Sequence, residues 1–216
     1  MQQSQRGVFL TLEGGEGLGK STAVKFIQQY LQQAQIDFIT TREPGGTPVA
    51  EQIRQLLLNP NVAEEITPVT ELLLMFASRS QHIVNLILPA LAAGKWVICD
   101  RFVDASYAYQ GGGRGFDTQQ IKQLDDWIVG ELRPQVTILL DAPPQLGMAR
   151  AKNRSMHDRI EQEKLDFFER VRTAYLVRAK GEPDRFKIID ATKPLAAVQA
   201  EIKMIMDNIV GQYNEK

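Results

Sequence analysis

The stretch GGEGLGKST, Gly14 to Thr22, limits what this 216-residue chain can fold into more than any other feature. Gly14, Gly19, Lys20 and Ser21 fall at the G-x-x-x-x-G-K-[ST] spacing, after an apolar run (Val8–Leu12) and before a helix-period segment (about Lys20–Gln33). Glycines at these positions let backbone N–H groups curl around phosphates at a helix N-terminus. In such a loop the lysine reaches the terminal phosphates, and the hydroxyl at the position of Ser21 can ligand Mg²⁺. Gly14, Gly15, Glu16, Gly17, Leu18, Gly19, Lys20, Ser21 and Thr22 are therefore the candidate ATP-binding residues. The motif names no reaction, because switches, motors and kinases share it, and it leaves the carboxylate of Glu16 unexplained.

A strand, a phosphate loop and a helix at the N-terminus predict an α/β protein, and the rest of the chain continues the alternation. Short apolar runs at Ile36–Thr40, Trp96–Cys99, Val136–Leu140 and Phe186–Ile189 lack polar alternation, as strands buried on both faces do. Between them the spacing predicts helices over about Pro48–Leu58, Thr70–Ala93, Thr118–Val129, Pro144–Asn153, Ile160–Ala179 and Pro194–Val210. Thr47-Pro48 is a capping residue followed by a first-turn proline. The glycine clusters EPGGT (43–47) and YQGGGRG (109–115) are expected as loops at the carboxyl ends of strands, where ligands collect in such sheets.

The length suits one domain with a small insert. With 25 basic and 26 acidic side chains no overall field favours nucleic acid or membrane, so an anion has to be held locally. Cys99 is the only cysteine, which excludes an internal disulfide and a cysteine-built zinc site. No apolar segment reaches the ~18–20 residues of a membrane helix, and MQQSQR is too short and polar for a signal peptide. A cytoplasmic protein is expected.

Other candidates each have a plainer reading. Asp100 and Arg101 close an apolar strand: beside a phosphate loop, Asp100 suits a magnesium-bound water and Arg101 the transferring phosphoryl oxygens, but the pair also reads as a surface ion pair. Arg150, Lys152, Arg154 and Arg159 crowd a polar stretch that fits either a lid closing over ATP or a solvated face. Arg42, Glu43 and Arg54 surround a glycine turn, with Arg54 able to grip a phosphate bidentately, but Glu43 and Arg54 also read as plain surface charges. Met75 and Arg79 share a helix face, an apolar shelf with a donor for a flat base, though Leu/Met/Phe runs usually form core. Neither His82 nor His157 has a ligand set nearby, and Cys99 reads as a small buried hydrophobe.

Together FLTLEGGEGLGKST, TREPGGT, DRFVDASYAYQGGGRG, DRIEQE and IDATKPL make the chain resemble the bacterial thymidylate kinases, nucleoside monophosphate kinases that convert dTMP and ATP to dTDP. TREPGGT and AYQGGGRG carry more of this likeness than the phosphate loop, and the likeness spans nearly the whole chain. It implies a P-loop NTPase fold with a five-stranded parallel sheet wrapped by helices, a mobile lid at about 150–160, a homodimer, and Mg²⁺ with ATP as donor.

Carried onto this sequence, the resemblance sets Glu16 beside the sugar 3′-hydroxyl and Glu43, Arg54 and Arg101 around the dTMP phosphate. Arg79 falls at a thymine carbonyl, Ser106 and Gln110 at the base edge, with Tyr107 and Tyr109 as pocket walls and Tyr109 opposing a ribose 2′-hydroxyl. Asp190 to Thr192 fall beside adenine. Relatives with an arginine after the loop carboxylate draw catalytic charge from it, but here Gly17 follows, which hands that role to Arg150 and Arg154 beside Lys20 and Arg101. Many relatives have phenylalanine where this chain has Met75, with Phe76 one position later, so Met75 is expected as the shelf and Phe76 beside it. A kinase of another nucleotide or a nucleotide-dependent switch are the alternatives, the latter without an N-K-x-D signature in the sequence.

Overall fold

The computed structural model describes residues 7–61, 63–151 and 158–214. Its five strands are β1 (Phe9–Gly14), β2 (Phe38–Arg42), β3 (Trp96–Asp100), β4 (Val136–Asp141) and β5 (Phe186–Asp190), all parallel in the order β2-β3-β1-β4-β5. Helices α1 (Lys20–Gln33), α2 (Pro48–Leu58), α3 (Pro68–His82), α4 (Leu88–Ala92), α5 (Val103–Ser106), α6 (Thr118–Ile128), α7 (Pro144–Ala151), α8 (Leu165–Gly181) and α9 (Leu195–Asn214) cover the sheet. β1 is central and buried along its whole length, with Leu10 in register with Ile98 on one side and Val136 on the other.

Successive residues of β1 serve opposite faces, as the two-residue strand period requires. Leu10 and Leu12 pack with Ala23, Ile27 and Leu31 of α1 and Ile202 and Met206 of α9. Phe9 joins Val97, Cys99, Phe76 and Ile121 on the other face. Leu139, Phe167, Phe168 and Tyr175 form a third cluster under α8. The result is a three-layer α/β/α arrangement with every strand ending on the same edge, which is where the loops bearing the chemistry emerge.

Strand centres and the first two helices fall where the apolar runs and caps place them, with corrections at several ends. β2 runs to Arg42, two residues past the expected end. α3 starts at Pro68 because Thr67 caps it by accepting from Thr70 N, the same Thr-Pro device that opens α2. The helix expected over Thr70–Ala93 passes through a π-helical turn at Ile83–Ile87. α8 begins at Leu165, after turns through 159–162.

The larger correction concerns YQGGGRG, expected as a loop. Tyr107–Gly113 is π-helical and continues α5. Its glycines mark close packing: a Cβ on Gly112 would lie 2.6 Å from Ala174 Cβ, and one on Gly113 would lie 2.4 Å from the Phe167 ring. The absent side chains let this segment press on α8. The lid expectation at 150–160 falls largely on residues outside those described, Arg154 among them.

Candidate active site

At the end of β1 the chain turns through glycines at φ 134° (Gly14), 69° (Gly17) and 92° (Gly19) before α1 begins at Lys20. Two of these positions admit no side chain: a Cβ on Gly14 would sit 2.4 Å from Leu140 O, and one on Gly17 would sit 2.1 Å from Gly147 O of α7. The loop is thus pressed against β4 and against the helix that leads to the residues after 151. Lys20 Nζ donates to Gly14 O (3.0 Å) and Gly15 O (2.8 Å). Burial, with the Arg101 charge, lowers the pKa of this ammonium despite the carboxylates of Glu16, Asp100 and Glu13.

β3 ends in Asp100, and Arg101 then takes φ 66°, a left-handed conformation unusual for a side-chain-bearing residue. The turn is fixed by Arg101 N donating to Leu12 O (2.9 Å) and Phe102 N to Glu13 Oε1 (2.8 Å). This aims the guanidinium at the phosphate loop. Arg101 Nη2 donates to Glu16 Oε1 and to Tyr109 OH (3.0 Å), closing a triangle of three candidate residues. Burial raises the Glu16 pKa, but the Arg101 and Lys20 charges and the Arg101 and Tyr109 hydrogen bonds outweigh it and bring it down to about 2.

Behind Glu16, Glu13 is wholly buried; its oxygens accept from Phe102 N and from Tyr175 OH (2.6 Å). Burial and the nearby Asp104 charge push its pKa up to about 8, against those hydrogen bonds and the Arg101 charge.

The facing wall comes from α3 and the 43–47 turn. Arg79 Nε donates to Glu43 Oε2 (2.7 Å), Nη1 to Ser106 Oγ (3.0 Å) and Nη2 to Phe102 O (3.2 Å). Its guanidinium carbon lies 4.7 Å from the Phe76 ring centroid. Glu43 Oε1 lies 2.9 Å from His82 Nδ1, and His82 Nε2 lies 2.7 Å from Thr41 Oγ1. His82 thus belongs to a buried network that holds Glu43. The 43–44 peptide is cis, and Pro44 O accepts from Arg54 Nη1 (2.8 Å).

These walls enclose one cavity of about 360 Å³. Residues 16–22 line one end, and Glu43, Arg54, Met75, Arg79, Arg101, Ser106, Tyr109 and Gln110 line the other. Lys20, Arg42, Arg54, Arg79 and Arg101 line it together with the carboxylates Glu16, Glu43, Asp100, Asp158 and Glu161. Arg79 and Arg101 are paired with Glu43 and Glu16, whereas Lys20 and Arg54 bond carbonyl oxygens and keep their charge for an anion. Asp100 also faces this cavity, with Oδ1 buried and without a hydrogen-bond partner among the described residues.

Other expected residues lie elsewhere. Phe76 is 1% exposed and packs in the core behind Arg79, while Met75 lines the cavity; on a helix adjacent residues point about 100° apart, so only one can be the shelf. Gly14 and Gly15 border a narrower cleft between the loop and α7, beside the Arg172–Asp141 ion pair. Arg150 Nη1 donates to Ala191 O at 3.4 Å, next to Asp190, whose Oδ1 accepts from Thr192 N and Oγ1. Neither Arg150 nor Asp190 lines the cavity. Arg159, counted with the lid, donates from Nε to Leu57 O (2.9 Å) and from its backbone N to Leu58 O (3.2 Å), anchoring the returning chain to α2.

Sequence reasoning missed Glu71, which is 1% exposed and receives donors from Gln110, Arg114 and Arg159. The signal was present: Glu71, Met75 and Arg79 recur every four residues on one face of α3.

The chain is similar to known proteins over most of its length. The family model described as thymidylate kinase matches residues 12–202. The chain is 52% identical over 204 residues to the thymidylate kinase of Pseudomonas entomophila (strain L48), covering 94% of this chain and 97% of that one. With the thymidylate kinase of Pseudomonas putida (strain W619) it shares 51% identity over 203 residues, covering 94% and 98%. The crystal structure of thymidylate kinase from Ehrlichia chaffeensis is similar to it with a TM-score of 0.76 at 32% identity, covering 94% of this chain and 99% of that one.

Proposed function

The chain belongs to the thymidylate kinase family, and on that footing we propose that it phosphorylates dTMP to dTDP by transferring the γ-phosphoryl group of ATP. The observation that carries this reading is a shared cavity in which the phosphate loop with Lys20 faces Arg54, Arg101 and the apolar shelf of Met75, a setting that supports a donor and an acceptor phosphate side by side.

Lys20 and the loop N–H groups take the ATP phosphates, while Arg54 and Arg101 take the acceptor phosphate. A phosphate acceptor needs little help from a base, so positioning and charge neutralisation supply the rate. Glu16, held by Arg101, sits beside the sugar 3′-hydroxyl, and Tyr109 opposes a ribose 2′-hydroxyl. Met75 covers the base, and Arg79, Ser106 and Gln110 face its edge. Residues from about 150 to 160 form the lid of this single domain. Arg150 has to leave Ala191 to reach the phosphates, joined there by Arg154, and the segment from Asp190 to Thr192 borders adenine.

The donors also suit Mg²⁺. Asp100 and Ser21 offer hard oxygens to the same cavity, and a cation that keeps most of its shell for water and phosphate needs only one or two protein ligands. Bound there, Mg²⁺ would screen the phosphate charge. A cytoplasmic homodimer completes the proposal. Supporting it, Val69, Leu73, Val84 and Leu88 are exposed apolar residues along the helical stretch from Pro68 to Ala92. Among the described residues no helix is long and apolar enough to cross a membrane.

The test is ADP release with ATP and Mg²⁺, comparing dTMP, dUMP, dCMP, dGMP and no acceptor at equal concentration. Release driven by dTMP well above the others is expected. Equal release with and without every acceptor would defeat the reading.

A further inference from the structure

Gln110 lines the acceptor end of the cavity, and its amide is not free to turn. Gln110 Nε2 donates to Glu71 Oε1 at 2.9 Å. Glu71 sits in the first turn of α3 and also accepts from Arg114 Nε (3.2 Å), Arg114 Nη2 (3.1 Å) and Arg159 Nη2. Two guanidinium partners and a helix N-terminus keep a carboxylate ionised, and an ionised carboxylate only accepts. Its pKa is accordingly lowered: burial would raise it, and the Arg114, Gln110 and Arg159 hydrogen bonds prevail. Beside such a group a planar carboxamide has one stable flip, NH₂ toward the carboxylate, which leaves the carbonyl oxygen for the cavity. Arg79 lies on the same wall. A guanidinium has five N–H bonds, and three are directed to Glu43, Ser106 and Phe102, which leaves two.

We propose that Glu71 is the positioning residue that sets base selectivity: by locking the Gln110 amide it makes the pocket present an acceptor beside the Arg79 donors. This inference rests on the dTMP reading above. That pattern complements a 4-keto pyrimidine, whose N3–H meets the Gln110 carbonyl and whose O4 meets Arg79. A 4-amino pyrimidine inverts both contacts, setting N3 against an acceptor and an amine against donors, and unpaired buried polar groups are costly. If Gln110 could turn over, one of the two mismatches would vanish. Glu71 forbids that turn. The pair does not separate thymine from uracil, since both carry O4 and N3–H.

The experiment measures kcat/KM for dTMP, dUMP and dCMP in the wild type, Glu71→Gln and Gln110→Leu. The wild type is expected to prefer dTMP to dCMP by at least about a thousandfold. In Glu71→Gln the new carboxamide can donate as well as accept, so Gln110 can flip. The dTMP/dCMP ratio should narrow by at least about tenfold, with dCMP turnover rising in absolute terms. A merely structural role would lower all three acceptors together, and an unchanged ratio overturns the proposal. Should Glu71→Gln show no melting transition, Gln110→Leu decides, because it leaves both arginine pairs with Glu71 intact: a narrowed ratio supports the proposal and a wild-type ratio overturns it. A wild type inactive on dTMP would sink the parent reading and this inference with it, whereas a dTMP-active wild type with an unaltered ratio in the variants sinks this inference alone.

Discussion

Glu43 divides its carboxylate between two buried partners, giving Oε2 to Arg79 Nε at 2.7 Å and Oε1 to His82 Nδ1 at 2.9 Å. Arg79 and Glu43 side chains are 2% and 3% exposed, so neither charge has water to fall back on. Glu43→Gln leaves the guanidinium buried without a counter-charge, and breaking such a pair costs about 3–5 kcal/mol. Urea unfolding of the two proteins measures this. A loss below about 1 kcal/mol, the level of an exposed pair, would mean that Arg79 is not held by Glu43.

Lys20 is the group whose removal should cost most in turnover for least in fold, since its two partners are carbonyls of its own loop. Lys20→Ala is expected to lower kcat more than about a hundredfold, with the thermal transition retained. Steady-state rates at saturating ATP and dTMP decide it, and near-normal turnover would count against the phosphate loop as the donor site.

Glu16 makes the folded state sensitive to acid. Its pKa is lowered in the fold to about 2 from the usual 4.5, so its contribution is fully present above about pH 4.5 and is lost as pH falls through about 2. Denaturant unfolding from pH 6 downward should show the wild type losing stability faster than Glu16→Gln below pH 4.5. Parallel curves would refute a charged Glu16 held by Arg101.

Glu13 acts in the opposite direction. With its pKa pushed up to about 8, the folded protein keeps a proton that the unfolded chain releases near 4.5. Wild-type stability therefore falls from about pH 4.5 to about 8 on account of this group and levels off above. Glu13→Gln lacks that slope, so its stability relative to the wild type should rise between pH 5 and 8. A constant difference across that range would show Glu13 ionised in the fold.

What the sequence made legible were features that act locally. The Thr47-Pro48 cap opens α2 where expected, and the apolar run of β1 lies at the sheet centre because such runs need cover on both faces. Thr67-Pro68 carries the same signal and was passed over. YQGGGRG misled because a glycine run usually marks a turn, whereas here the missing side chains make room for Ala174 and Phe167, sixty-two and fifty-four residues away in the chain for Gly112 and Gly113 respectively. Met75 was readable as the cavity residue from its spacing to Arg79. Glu71 was not read although its four-residue spacing to Met75 marked its face of α3; what that spacing does not encode is its partners Gln110, Arg114 and Arg159, 39 to 88 residues distant.

The contact between Gly17 and Gly147 bears on how such a loop can evolve. Each glycine would drive a Cβ to 2.1 Å from the other segment's backbone, onto Gly147 O in one direction and Glu16 O in the other. Neither position can acquire a side chain while the other segment stays where it is. A lineage in which a side chain replaces Gly17 must first draw α7 away from the loop. The two glycines should accordingly be gained or lost together.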